Sequence, residues 1–240
     1  MEQMLLNARR FNNFVKNKIL KKYVKGNSLL DLACGKGGDI HKWISLHIKT
    51  VKGYDLDLDS IKEAKKRYNK IKTKKGKFSF YNTDLSKELI EPKMKFDNVT
   101  CFFAIHYFFK NEITFMYLIS NIINNIKKNG YFMMTTFSED KLKQIDYKVD
   151  TETFKVKPIN IKNGIFGNSI SVWIKDSVLD KEREEYVVQF KYLVSKLKEY
   201  DIELIESGNF KDFYNSKKHK LNKTEKLLSF LNMYSVFKKI

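Results

Sequence analysis

The stretch Ser28–Asp39, SLLDLACGKGGD, constrains the rest of the chain more than any other. Ser28–Leu32 is an apolar run around Asp31 and predicts a buried strand, and Gly35, Gly37 and Gly38 then supply a turn that opens a helix. Glycines in such a turn let backbone N–H groups come close to a ligand, and the first turn of the following helix favours negative charge. The stretch therefore predicts a cradle for a small molecule bearing a carboxylate or phosphate. Spacing narrows the choice. Gly35-Lys36-Gly37-Gly38 is too short for the phosphate loop G-x-x-x-x-G-K-[ST], and the third glycine of G-x-G-x-x-G is missing.

Around this stretch, strand and helix patterns alternate. Ala8–Val24 carries Phe11, Phe14, Val15, Ile19 and Tyr23 near helical spacing and predicts an amphipathic helix, with Asn12, Asn13 and Lys16 on a neighbouring face. After the glycine turn come a helix Asp39–His47 with Lys42 and Trp43, a strand Thr50–Asp55, and a helix Asp57–Ile71 with Arg67 near its end. A polar turn Lys72–Lys77 follows, then a strand Phe78–Tyr81 closed by Asn82-Thr83-Asp84, and a strand Phe96–Ala104 running into Ile105-His106-Tyr107-Phe108. Helix Ile113–Lys127, turn Asn129-Gly130 and strand Tyr131–Phe137 complete the series. This alternation predicts an α/β fold on a mostly parallel sheet, with ligands at the carboxyl ends of the strands, where His106 and Tyr107 fall. Asp84, taken alone, reads as a turn or helix-cap residue.

From Ser138 the pattern loosens. Lys155–Asn163 reads as polar, Ile170–Ile174 as a strand, and Glu184–Tyr200 as a helix built on Val187, Val188, Phe190, Leu193, Val194 and Leu197. Ile202–Ile205 and Met233–Phe237 read as a closing antiparallel hairpin. Neither repeats nor Pro/Gly-rich linkers interrupt the 240 residues, so a single domain is expected.

A hydrophobic content of 42% argues against disorder, and no apolar run is long enough to cross a bilayer. Cys34 and Cys101 have no CxxC or Cys/His spacing, so no metal is expected and both read as small buried hydrophobes of a reducing compartment. The net charge of +18, from 46 Lys+Arg against 28 Asp+Glu, attracts polyanions at long range, but a lysine-rich compositional drift accounts for it equally well.

The glycine turn, with Asp55 ending the next strand about twenty residues on, resembles that of class I S-adenosylmethionine methyltransferases, where the second carboxylate holds the ribose hydroxyls. Five segments carry a narrower likeness: FNNFVK from Phe11, LLDLACGKGGDIHKW from Leu29, NTDLSKEL from Asn82, CFFAIHYFF from Cys101, and EEYVVQF from Glu184 with GNFKDFY from Gly208. Together they resemble the mRNA cap (guanine-N7) methyltransferases along nearly the whole chain. The resemblance implies a Rossmann-like class I fold, a mostly parallel seven-stranded sheet with an antiparallel C-terminal strand. Residues 1–25 would form the N-terminal helix, 26–137 the cofactor-binding core, and 138–240 the cap-binding insertions and closing hairpin.

It further implies that Lys16, Asp31, the turn Ala33 to Gly35, Asp55, Asp84, position 102 and Tyr107 bind S-adenosylmethionine. Asn12, Asn13, Lys36, Lys42, Arg67, His106, Glu185 and Tyr234 would line the cap pocket, with His106, Glu185 and Tyr234 aligning the base. Two positions depart from the family pattern. Ala33 stands where glycine is usual, a small perturbation, and Phe102 stands where a glutamine commonly touches the cofactor, a loss expected to weaken cofactor affinity. The implied partners are capped RNA with a GpppN 5′ end, other capping-enzyme domains, and a stimulatory subunit of the kind some relatives need. The implied location is intracellular, in nucleus or cytoplasm, or in a virion or cytoplasmic replication site for a viral source. Two other readings share much of the pattern: a class I methyltransferase with another acceptor, and a catalytically inactive RNA-binding or activating subunit.

Overall fold

A computed structural model describes residues 5–72, 76–91, 93–175 and 181–240. The polar turn expected over 72–77 lies partly outside them. Helix α1 (Leu6–Tyr23) buries Phe11, Val15 and Ile19, the i, i+4, i+8 stripe of its sequence. It stops before Gly26, where φ is +62° and an added Cβ would lie 2.4 Å from the Asp97 carboxyl carbon. Strand β1 (Ser28–Leu32), helix α2 (Ile40–Ser45), strand β2 (Thr50–Asp55), helix α3 (Leu58–Asn69) and strand β3 (Lys77–Asn82) follow. Strand β4 (Phe96–Phe102) enters a 3₁₀ turn, Ile105–Lys110, and helix α4 (Glu112–Asn125) begins at a reciprocal cap between Asn111 and Thr114. Strand β5 (Ile126–Phe137) closes the parallel half, which runs in the order β5-β4-β1-β2-β3.

The second half contains more regular structure than the loosened pattern suggested. Helix α5 (Glu139–Gln144) leads to strands β6 (Val149–Asp150), β7 (Phe154–Asn160), β8 (Ser169–Ile174) and β9 (Arg183–Tyr186), an antiparallel sheet of their own. The supposedly polar stretch from Lys155 is half of an amphipathic strand, with Phe154 and Val156 buried between exposed or half-exposed neighbours. The helix expected over Glu184–Tyr200 divides. Glu185 and Val187 are buried while Glu184 is exposed and Tyr186 half-buried, a period of two that belongs to β9. Helical spacing begins only at α6 (Phe190–Lys198), which buries Leu193 and Leu197.

Strand β10 (Ile202–Asn209) and strand β11 (Asn232–Lys239) pair antiparallel as expected, but with a 3₁₀ turn, Phe210–Phe213, and helix α7 (Lys223–Phe230) between them rather than a tight hairpin. β11 inserts antiparallel between β10 and β5 and completes the seven-stranded sheet. α1 covers one face of that sheet through Phe102, Met133, Tyr234 and Val236; α4 and α6 cover the other through Cys101, Met134 and Phe237. The inner face of the small sheet packs through Val156, Ile170, Val172 and Val187 against Leu5 and Ala8 of the α1 entry. There the Glu225 carboxylate of α7 accepts the Asn7 and Ala8 amides at 2.9 and 3.2 Å, fixing the start of α1. The carboxyl ends of β1, β2 and β4 thus open beneath α1 on one side and β9 on another.

Candidate active site

The turn after β1 is pinned to β2, because the Ala33 and Cys34 amides both donate to the Tyr54 carbonyl, at 2.9 and 2.8 Å. This forces Ala33 to φ 86°, a backbone region that suits glycine, so the alanine is strained rather than neutral. Asp55, at the end of β2, accepts the Gly35 amide on Oδ2 at 2.7 Å and the Asp57 amide on Oδ1 at 3.0 Å. Each carboxylate oxygen retains a second lone pair, the acceptor set a ribose diol needs. Nothing lies within 4 Å of the positions where a Cβ would stand on Gly35 or Gly38. An open cradle beside an anchored carboxylate fits an adenosine-bearing cofactor. Asp84 caps a local turn, accepting the Ser86 amide and hydroxyl at 3.1 and 2.6 Å, with Lys87 3.3 Å from its other oxygen.

Asp31 lies in the middle of β1, nearly closed to solvent, where Thr100 donates its hydroxyl at 2.8 Å. Burial, with the charge of Asp39 added, pushes the Asp31 carboxyl up to about 7. Asp39 organises the next layer, a role its sequence position does not reveal. Its two oxygens take Lys16 Nζ at 2.8 Å and Lys42 Nζ at 2.5 Å, and Lys42 also donates to Asn13 Oδ1 at 2.9 Å. Lys16, Lys42 and Asn13 are therefore brought together, but around Asp39. The Lys16 ammonium also sits 5.6 and 5.7 Å from the ring centres of Phe102 and Phe103.

Across the mouth, the 3₁₀ turn after β4 and strand β9 bring His106 Nε2 to 3.6 Å from Glu185 Oε2, with both residues buried. The pair is not ionic near neutral pH. Burial pushes His106 down to about 3 and Glu185 up to about 8, a nearby Arg183 offsetting only part of the latter. His106 Nε2 and Asn12 Oδ1 of α1 are both buried with no hydrogen-bond partner. Orphaned polar atoms of this kind are costly without a ligand to satisfy them. Tyr107, 39% exposed, has its ring 4.1 Å from that of His106 at a tilt of 56°, and it lies in the field of both Glu185 and Asp55.

Three expected residues are not brought there. Phe102 packs beneath α1 with Phe11 and Val15, and its ring belongs to the core. Tyr234 is buried under Phe213 and gives its hydroxyl to Glu206 at 2.6 Å, so its ring cannot stack on a base without leaving that packing. Arg67 lies nine positions into α3, roughly 13 Å from the mouth end of that helix, where it pairs with Glu63 at 2.8 Å. Lys36 stands exposed on the glycine turn. Among the described residues, no group of three or more His, Cys, Asp or Glu could hold a metal ion, and no helix is long and apolar enough to cross a membrane.

Solved structures with this fold include an S-adenosylmethionine-dependent methyltransferase from Clostridium acetobutylicum, with TM-score 0.62, 19% identity, and 96% of this chain and 91% of that one covered. A putative S-adenosylmethionine-dependent methyltransferase from Listeria monocytogenes aligns with TM-score 0.65 and 16% identity over 98% of this chain and 99% of that one. Similarity in sequence is more specific. An mRNA cap guanine-N(7) methyltransferase of Candida albicans is 30% identical over 86% of this chain and 53% of its own length. That of Saccharomyces cerevisiae is 28% identical over 88% and 54%, and a probable mRNA-capping enzyme of Acanthamoeba polyphaga mimivirus is 27% identical over 90% and 22%. The chain thus spans about half the length of the two fungal relatives and about a fifth of the viral one. The mRNA (guanine-N(7))-methyltransferase domain matches residues 2–236, and the chain belongs to that family of class I enzymes, whose cofactor is S-adenosylmethionine.

Proposed function

We propose that this chain methylates N7 of the guanine of a GpppN RNA cap, giving m7GpppN and S-adenosylhomocysteine. The observation that carries the reading is the buried His106–Glu185 pair, held by β9 across Tyr107 from the Asp55 cradle. Bound in that cradle, S-adenosylmethionine supplies an electrophilic methyl carbon on a sulfonium. Asp55 holds the ribose hydroxyls, Asp84 accepts from the adenine amino group, and Lys16, Asp31 and the Ala33–Gly35 turn support the rest of the cofactor. Ionised Glu185 accepts the guanine N1–H and amino hydrogens, and neutral His106, protonated on Nε2, donates to O6. The carboxylate also favours the positive charge that builds on the purine as N7 is alkylated.

N7 carries a lone pair and no proton, so no side chain has to remove one. The residues act by alignment and electrostatics, with Tyr107 walling the base toward the sulfonium. Asn12 Oδ1 and Lys36 complete the pocket rim. Residues 26–137 hold the cofactor together with Lys16, 138–240 bring Glu185 to the guanine beside His106, and the partner is capped RNA, with capping-enzyme domains or a stimulatory subunit around it.

The test is methyl transfer from radiolabelled S-adenosylmethionine to RNA bearing a GpppA or GpppG end, read by digestion and chromatography of the cap. Label in m7GpppN, lost in Glu185→Ala, is expected. Cofactor binding without label would point to another acceptor or a required second subunit, and failure to bind the cofactor would leave an inactive RNA-binding subunit.

A further inference from the structure

The net charge of +18 is not spread evenly along the chain, as a drift toward lysine would spread it. On α3, cations interleave with acids, Lys62 pairing with Asp59 and Arg67 with Glu63. Residues 14–25 and 213–224 instead hold five and four lysines and no acid, and the fold packs the two segments together. We propose that the face they form holds the RNA body downstream of the cap, its phosphates on the lysines and its bases on the rings between them. The inference takes its ligand from the cap reading above and names a second surface for it.

Aromatic rings make the seam. Phe14 of α1 lies 4.7 Å from His219 at a tilt of 51°, and Phe11 meets Tyr214 edge-on at 6.0 Å. Lys18, Lys217, Lys218 and Lys220 are exposed around it. The Lys18 ammonium stands 5.5 Å from the centre of the Phe14 ring, and Lys226 of α7 stands 5.3 Å from that of Tyr214. Phe14, Tyr214 and His219 are only half-buried, so each keeps ring surface open between the ammonium groups. The Asn215 amide donates to His219 Nδ1 at 3.2 Å, which orients that ring and leaves its proton on Nε2.

The acids of the flanking elements do not neutralise this face, because backbone amides engage them. Asp212 accepts the Asn209 amide at 2.9 Å, and Glu225 accepts those of Asn7, Ala8 and Asn222 at 2.9, 3.2 and 3.0 Å. Glu206 takes Lys22 with the Tyr23 and Tyr234 hydroxyls. Among the described residues, no carboxylate pairs with Lys18, Lys217, Lys218 or Lys220. Unpaired ammonium groups alternating with π-faces suit a single strand of nucleic acid. α1 also links the face to the cap pocket. Asn12 and Phe14 are two positions apart, about 200° around a helix roughly 10–12 Å across, so nucleotides beyond the first reach the face over the helix.

Equilibrium binding of GpppG, a GpppG-capped 15-nucleotide RNA and the same RNA uncapped tests this, with wild type, His219→Ala and the triple variant Lys217→Gln/Lys218→Gln/Lys220→Gln. Wild type should bind the capped RNA more tightly than GpppG. The triple variant should weaken both RNAs by roughly tenfold or more, leave GpppG unchanged, and lower the salt slope of RNA binding by about 2. His219→Ala should weaken the RNAs about fivefold without changing the slope, as a lost stack does. RNA binding unchanged in either variant overturns the proposal, and loss of poly-L-glutamate binding in the triple variant would then make the face a site for an acidic protein. Losses equal for GpppG and RNA would mean that the face only props the pocket, and capped RNA bound by wild type no better than GpppG would leave the face without a ligand; both overturn it too. S-adenosylmethionine affinity reports folding. Should the triple variant not fold, Lys18→Gln decides, with a slope lowered by about 0.7. Wild type that binds capped and uncapped RNA alike and GpppG not at all overturns the cap reading alone.

Discussion

Glu185 should make this protein lose stability as pH rises from 6.5 to 8, and Glu185→Gln should remove that loss. The Glu185 carboxyl titrates near 8 in the fold against an ordinary 4.5, so between those values the unfolded chain is ionised and the folded one is not. Rising pH therefore favours unfolding across that window. His106 runs the other way: it titrates near 3 in the fold against an ordinary 6.5, and falling pH favours unfolding between those values. The two slopes cancel from 4.5 to 6.5, and above 6.5 only that of Glu185 remains. At about 1.4 kcal/mol per pH unit, the span from 6.5 to 8.0 costs wild type about 2 kcal/mol through Glu185. Glutamine keeps the shape and has no ionised form, so the variant escapes this cost. Equilibrium urea unfolding of both proteins at the two pH values measures it, and every other titrating group, including Asp31 near 7, is common to both and cancels. The difference should move by about 2 kcal/mol in favour of Glu185→Gln. Added GTP should stabilise wild type more at pH 8 than at 6.5, because the guanine binds the ionised carboxylate. Parallel curves for the two proteins would refute the buried neutral acid and the recognition argued from it.

Ala33→Gly relieves the left-handed strain at φ 86°, worth about 1–2 kcal/mol, against about 0.5–1 kcal/mol of added chain entropy, so a net gain of up to about 1.5 kcal/mol is expected in urea unfolding. Phe102→Gln should cost about 3 kcal/mol by opening the packing under α1, with no gain in cofactor affinity by calorimetry; tighter binding would place position 102 at the cofactor. Asp39→Ala leaves Lys16 and Lys42 facing each other in a buried site, and a loss of about 3–5 kcal/mol with weakened S-adenosylmethionine binding is expected from the same measurements.

The parallel half of the fold was legible because its signals are local. Glycine with φ +62° ends α1, Asp57 caps α3 by accepting the Ser60 amide at 2.9 Å, and apolar runs bounded by polar turns mark β1, β2 and β4. The small antiparallel sheet was obscured by composition. Lysines alternate with Phe154 and Val156 in β7, so a lysine-rich stretch reads as loop unless the period of two is counted. β9 was hidden differently, since Val187, Val188, Phe190, Leu193 and Leu197 make a helical stripe when counted from the wrong end.

That one misread strand also explains what was missed in the site. On a helix begun at Glu184, Glu185 would be an ordinary first-turn acid. On a strand Glu185 stands opposite the buried Ile170 and faces inward with it. Partners set by tertiary packing escape sequence altogether: nothing in GKGGD shows that Asp39 will draw Lys16 from α1 and Lys42 from α2 to one point. The segments that carry the family likeness name candidate residues for the mouth, but a likeness of short motifs does not register which partner a charge meets in the fold. Lys42 and Arg67 reach the fold with carboxylates already attached, Asp39 for the one and Glu63 for the other.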